Sequence, residues 1–332
     1  MLLLTALTVG GSGASEVFAY LHPNMRERIT AKAQALKAIP ADKRVLFMVR
    51  QMQTAIETDG LHNVHKADPS WILHALKGES PTVVAVVLSS MPRETTRDLL
   101  GLLPETIRKG LPEHKAVAAI PAPTKHLVRQ LFEKRLAPMP AENESKLTFQ
   151  SIVHMPKADL GVVLRDLGLL ELGQSFAAIG KMALAELCRR LPRPRAEELV
   201  DAVRTASGVD APDRKIAESF LSKVVANFTD TEELFVRAGL WRLANALLLE
   251  SPEFSAAMSQ RLQRPLGLDL RQYIERAREL AQRQEEGLKR LQDSILIRIR
   301  RLAMRQTLSP RYAQMPVTFH HAESANELVM PE

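Results

Sequence analysis

The feature that most constrains this chain is its punctuation. Nearly every stretch spaces its apolar residues three or four apart, and nearly every such stretch is closed by proline, glycine or an aspartate-rich turn. That period belongs to amphipathic helices with one face turned to a core, and the breakers hold each helix to a few turns. Helices this short are marginal alone, so they must bury their faces on one another. Aromatic residues make up only 5% of the chain, while Leu, Ala, Arg and Glu are plentiful, which favours helix over sheet. The expectation is an all-α protein.

A repeat sharpens it. The segment GLLELGQSF (168–176) matches GLWRLANAL (239–247), and RRLPRP (189–194) matches QRLQRP (260–265), both at an offset of 71 residues. Two motifs at one constant offset read as stacked helical units that each lack a self-sufficient core, as in armadillo-type solenoids. The predicted architecture is a right-handed superhelix of such units, with a small N-terminal helical domain and a long C-terminal amphipathic helix.

Breaks in the pattern set the boundaries. Residues 1–60 read as three or four short helices, followed by a polar hinge. Residues 66–136 form a middle armadillo-like unit. Residues 137–146, APMPAENESK, carry two prolines and no apolar period and read as a linker. Residues 147–306 hold the repeats and the long helix, which runs over 270–305 with ten basic residues against five acidic. The tail, 307–332, lacks periodicity and is expected to be disordered or partner-bound.

With 332 residues the chain has room for two or three domains, and its net charge of +7 suits an acidic protein face, anionic lipid or nucleic acid. Basic patches interleaved with aromatics are missing, so nucleic acid is not an expected partner. Cys188 is the only cysteine, which excludes an intrachain disulfide and suits a reducing compartment. Its helical setting reads as a small buried residue. The opening MLLLTALTVGGSGASEVFAYL has no basic residue before its apolar run, which is too short to span a bilayer. It reads as a buried first helix, with a signal peptide as the alternative.

Catalytic patterns are missing. His62 and His65 stand three apart, but nothing completes a ligand set, and both read as solvated, as do His320 and His321. VGGSGAS (9–15) has neither the Lys-Ser/Thr nor the preceding strand of a phosphate loop. No nucleophile elbow and no zinc-protease motif occurs. The chain is expected to be no enzyme and to use no cofactor or metal.

The clearest local pattern lies in residues 78–111. Ser80 is placed to cap a helix whose first residue is Pro81, where a missing N–H costs nothing. Val83, Val84, Val86, Val87 and Leu88 make that helix apolar nearly all round, so it must be buried. In the helix after Met91-Pro92, Arg93, Glu94, Arg97 and Asp98 are predicted to face solvent, and Leu99, Leu100, Leu102 and Leu103 to face in.

This stretch, ESPTVVAVVLSSMPRETTRDLLGLLPE (79–105), resembles the middle armadillo unit of the FliG family of flagellar rotor switch proteins. LLLTALTVGGSGASEVFAYLHPNMRERI (2–29) is similar to that family's N-terminal domain, FQSIVHMPKADLGVVLRDL (149–167) resembles the opening of its C-terminal unit, and LANALLLESPEFSAAMSQR (243–261) its charged C-terminal helices. The four follow the family's order. The resemblance implies a cytoplasmic scaffold, peripheral at the inner face of the membrane, that forms a ring with copies of itself. Residues 1–58 would hold a membrane-ring protein, and the later units would meet a switch or stator-like protein. Where the family docks the next switch protein through Glu-His-Pro-Gln, this chain has Glu79, Ser80, Pro81 and Thr82. Leu248 stands at the torque-associated lysine, so ring assembly is better supported than torque. Arg165, Asp166, Arg189, Arg190, Arg237, Glu250 and Arg261 are the candidate contacts on the charged helices, for a partner of complementary charge. The alternative is a helical-repeat adaptor unrelated to motility that holds a peptide or helix.

Overall fold

A computed structural model describes residues 66–140, 145–206, 230–280 and 285–321. The expected N-terminal domain, its Gly-rich turn, His62 and His65 lie outside the described residues. Every named element among the described residues is helical; extended backbone pairs only at an isolated parallel bridge between Leu147 and Val317. The all-α expectation holds.

The chain divides into two compact units, one joining residues 1–62 to 113–131, the other joining 63–112 to 132–332. The described part of the first supplies α5 (His114–Ala119) and most of α6 (Ala122–Glu133), with Lys125 Nζ donating to the Ala118 carbonyl at 2.9 Å.

The second unit opens with α1 (Pro69–Ala75), α2 (Pro81–Leu88), α3 (Arg93–Leu102) and α4 (Glu105–Lys109). Proline occupies the first position of α1 and α2, and the side chains of Asp68 and Ser80 cap them. In α2, Val84, Val86, Val87 and Leu88 are buried, as its all-round apolar character requires. Leu99 and Leu103 face in, but Leu102 is 59% exposed, against expectation.

The core of this unit is two helix triads: α7 (Lys157–Ile179), α8 (Lys181–Arg190) and α9 (Arg193–Thr205), then α10 (Thr231–Ala246), α11 (Pro252–Arg261) and α12 (Arg264–Leu280). The 71-residue offset carries Lys181 to Pro252, Arg190 to Arg261 and Arg193 to Arg264, so the helix limits obey the repeat as well as the motifs. In both triads the first helix packs on the third, and the two first helices pack on each other. Leu172, Phe176, Leu187, Leu199, Leu234 and Trp241 belong to the buried cluster that results. Burial of each such side chain contributes about 1.5–3 kcal/mol.

The contact between α7 and α10 is reciprocal. A methyl group on Gly168 would fall 1.8 Å from the Phe235 carbonyl oxygen, and one on Gly239 would fall 1.9 Å from that of Leu164. Gly168 and Gly239 are one pair of repeat equivalents, and Leu164 and Phe235 are another. A contact that exchanges equivalents in this way is isologous. The two triads therefore face each other about a local two-fold axis, where a solenoid would repeat by translation. Only glycine lets two backbones approach so closely.

Helices α12 and α13 (Glu285–Met304) cover the described part of the span where one long amphipathic helix was expected; residues 281–284 between them lie outside the described residues. The tail departs from expectation. Residues 307–321 pack on the unit: Leu308 and Tyr312, the latter in α14 (Arg311–Gln314), are buried, and Arg300 donates to the carbonyls of Tyr312 and Met315. The expected linker is likewise anchored where it is described, with Met139 buried and Ala137 N–H donating to the Gln260 side chain.

Candidate interaction surfaces

The start of α2 carries the four middle-unit candidates. Glu79 is held by Arg135 at 2.5 Å, and the same guanidinium donates to the Ala75 carbonyl. Ser80 accepts from the Val83 N–H at 3.4 Å. Pro81 is half-buried, whereas Ser80 and Thr82 are exposed. Two side chains of the four therefore remain presented at the surface.

The C-terminal candidates separate into two groups. Asp166 accepts two hydrogen bonds from Arg298, at 2.8 and 2.9 Å. Arg237 lies between Glu233 at 2.9 Å and Asp269 at 3.6 Å. Glu250 accepts from Gln150 and Gln292. Arg261 is only 9% exposed, and its guanidinium donates to the carbonyls of Lys66 and Met155. These four residues join elements of the fold, and Arg261 in particular is buried. Arg165, Arg189 and Arg190 are exposed.

Arg189 and Arg190 end α8 and stand beside the first turn of α9, which adds Arg193 and Arg195. Their acidic neighbours, Glu186, Glu197 and Glu198, sit three or four positions away on the same helices and pair with them at 2.7–3.1 Å. Exposed pairs of this kind contribute about 0–1 kcal/mol each and exchange readily for an external partner. Met182, on α8, is 87% exposed. Burial raises the Cys188 thiol on the same helix above its ordinary value, which opposes thiolate formation and nucleophilic chemistry.

An open cavity of about 320 Å3 lies between the turn at Phe149–His154, α13 and the tail, lined by Phe149, His154, Glu250, Gln292, Phe319 and His320 among others. Beside it the tail is fastened through Asp293, which is 1% exposed. Asp293 accepts from the backbone N–H groups of His320 and His321 at 2.8 and 3.0 Å and lies 2.9 Å from His321 Nδ1. His321 Nε2 lies 2.5 Å from Glu286. The hydrogen bond to Asp293, and next that to Glu286, hold the imidazolium above the usual histidine range. Both tail histidines, read from sequence as solvated, are thus fastening groups. Asp293 was the available signal, as a lone acid within the apolar run LQDSILI (291–297).

Sequence reasoning also missed Trp71. Its indole N–H donates to the Leu262 carbonyl at 3.0 Å, and Arg264 and Arg271 stand over its ring. Nearby Asp68 is held below the ordinary carboxylate range: burial opposes this, but hydrogen bonds from Lys157 and Ser70 outweigh it.

Among the described residues no three His, Cys, Asp or Glu side chains are grouped to hold a metal, and no helix is long and apolar enough to cross a membrane. No protein-family model matches the chain, and no curated protein matches it.

Proposed function

We propose that this chain is a scaffold subunit of the FliG kind, at the cytoplasmic face of a flagellar motor or a related type III secretion base. Its armadillo-like units would stack between neighbouring copies, residues 1–58 would hold a membrane-ring protein, and the start of α2 and the α8–α9 rim would meet a switch or stator-like protein. Stacking would bury apolar surface, and charge would set partner and register. The observation that supports this best is the α8–α9 rim, where Arg189, Arg190 and Arg193 stand exposed on a doubled, closely packed helical framework. Such a rim suits docking rather than bond-making chemistry.

A helical adaptor unrelated to motility is the second reading. The local two-fold between the triads favours it, because face-to-face closure turns α7 and α10 inward and removes them from stacking between chains.

The test is recovery of ring-base proteins with the full-length chain from gently lysed cells. The rotor reading expects motor-ring or secretion-base components, with lower recovery for the exposed reversal Arg189→Glu/Arg190→Glu. Unchanged recovery with the reversal counts against the rim, and recovery of no such component favours the adaptor.

A further inference from the structure

The cavity between the turn at Phe149–His154, α13 and the tail is lined unevenly. Two phenyl rings, Phe149 and Phe319, share it with the Glu250 carboxylate. Its volume of about 320 Å3 stands at the lower end of the roughly 300–1,000 Å3 usual for ligand sites. Its walls come from separate parts of the chain, Pro140 and Thr318 among them, which suits a compact molecule better than an extended peptide.

The carboxylate is held but not neutralised. Gln150 Nε2 donates to one oxygen of Glu250 at 3.1 Å, and Gln292 Nε2 donates to the other at 3.1 Å. Both donors are uncharged amides, and among the described residues no Lys, Arg or His side chain pairs with Glu250. A carboxylate offers about four acceptor positions, so about half of them stay open. Gln292 is 1% exposed and fixed on every side: it also donates to the Ala246 carbonyl at 2.8 Å, and its Oε1 lies 2.8 Å from His320 Nε2. Glu250 itself is placed by the short helix Leu247–Leu249 before it and by the Ser251 cap of α11 after it. A half-buried negative charge held by neutral donors favours a cation beside it.

We propose that this cavity binds a small primary amine in its ammonium form, with the ammonium on Glu250 and an apolar body against Phe149 and Phe319. Ammonium hydrogens fill the open acceptor positions of the carboxylate, and such charge-assisted bonds are about twice as strong as neutral ones. The phenyl rings accept an apolar body and attract a cation through their faces. Phe319 and His320 belong to the tail, so a ligand in the cavity also holds the tail to the unit. The site stands apart from the scaffold reading, since no second chain takes part in it.

The experiment is calorimetric titration of the full-length chain with phenethylamine at about pH 7.5, where a primary amine is charged and ordinary imidazoles are largely neutral. Saturable binding with a Kd below about 1 mM is expected. Phenethyl alcohol, with a hydroxyl in place of the ammonium, should bind at least about five-fold more weakly, and phenylacetate more weakly still. Glu250→Gln is expected to abolish the preference for amine over alcohol while leaving the alcohol within about two-fold. Phe319→Ala should weaken amine and alcohol alike, by roughly five-fold. Saturating phenethylamine should also slow proteolysis within residues 307–321, because a ligand against Phe319 stabilises the attached tail. Absence of saturable binding, equal affinity for amine and alcohol on the unmodified chain, or tighter binding of phenylacetate overturns the proposal. So does an intact preference in Glu250→Gln, an undiminished affinity in Phe319→Ala, or a tail cut equally fast with the amine present. Should Glu250→Gln fail to fold, the three compounds on the unmodified chain and the tail readout still decide.

Discussion

Arg242 donates to Glu171 across 3.1 Å, and the two residues hold the same place in successive copies of the 71-residue repeat. Gln174 Oε1, at 2.9 Å, accepts from the same guanidinium nitrogen. Together with the glycine contact between α7 and α10, this pair says that the copies are related by rotation. Both side chains are largely buried, at 9% and 16% exposure, so leaving one alone is costly. Glu171→Arg and Arg242→Glu singly are expected to lose about 3 kcal/mol each, and the double exchange to recover most of it, since the two-fold offers either residue an equivalent site. Urea denaturation of the four proteins measures this; an exchange no better than its singles refutes the symmetry argument.

The glycines give a second test of the same relationship. Gly168→Ala and Gly239→Ala each place a methyl inside a carbonyl oxygen and are expected to destabilise by about 3 kcal/mol. The double substitution should cost less than the sum, because the first already separates the helices. Gly161, also in α7, has nothing within 4 Å of its added methyl, and Gly161→Ala should stabilise by about 0.5–1 kcal/mol through helix propensity alone.

Tail attachment should depend on pH in a stated direction. His321 sits between Asp293 and Glu286, with Lys289 and Arg290 near the Glu286 carboxylate. Its value is raised above the unfolded value of about 6.5, so the contribution is fully present below that value and is lost as pH rises through the raised one. Proteolysis within residues 307–321 should therefore be slowest in mildly acidic buffer and accelerate above neutrality. In His321→Gln that dependence should vanish; its survival would assign the fastening elsewhere.

Arg261 and Arg189 differ by one helix position in the repeat but not in fate by chance. Arg261→Ala leaves the carbonyls of Lys66 and Met155 without its guanidinium, at an expected cost of about 2–4 kcal/mol. Arg189→Ala, which loses only an exposed pair with Glu186, should stay within about 0.5 kcal/mol of the parent. Thermal unfolding distinguishes them, and equal losses would contradict the assignment of one to the fold and the other to the surface.

Local structure was legible in the sequence wherever its cause is local. Asp68-Pro69, Ser80-Pro81 and Ser251-Pro252 all start helices, with the serine or aspartate side chain accepting a first-turn N–H. The repeat was legible too, but an offset along one dimension does not say how two copies face each other, which the reciprocal contact of Gly168 and Gly239 does. The tail escaped because polar contacts hold it: two backbone N–H groups on Asp293 and two carbonyls on Arg300 leave no apolar period to read. The fate of charged residues was hidden for a related reason. Asp166 finds its partner in Arg298, 132 positions away, and no window along the chain shows that distance folded to 2.8 Å.

The central claim, that this chain is a self-assembling scaffold, is tested most directly by sedimentation velocity of the full-length protein over a concentration series. The account predicts a weight-average sedimentation coefficient that rises with concentration toward a closed or growing assembly. A single monomer boundary at every concentration would contradict it.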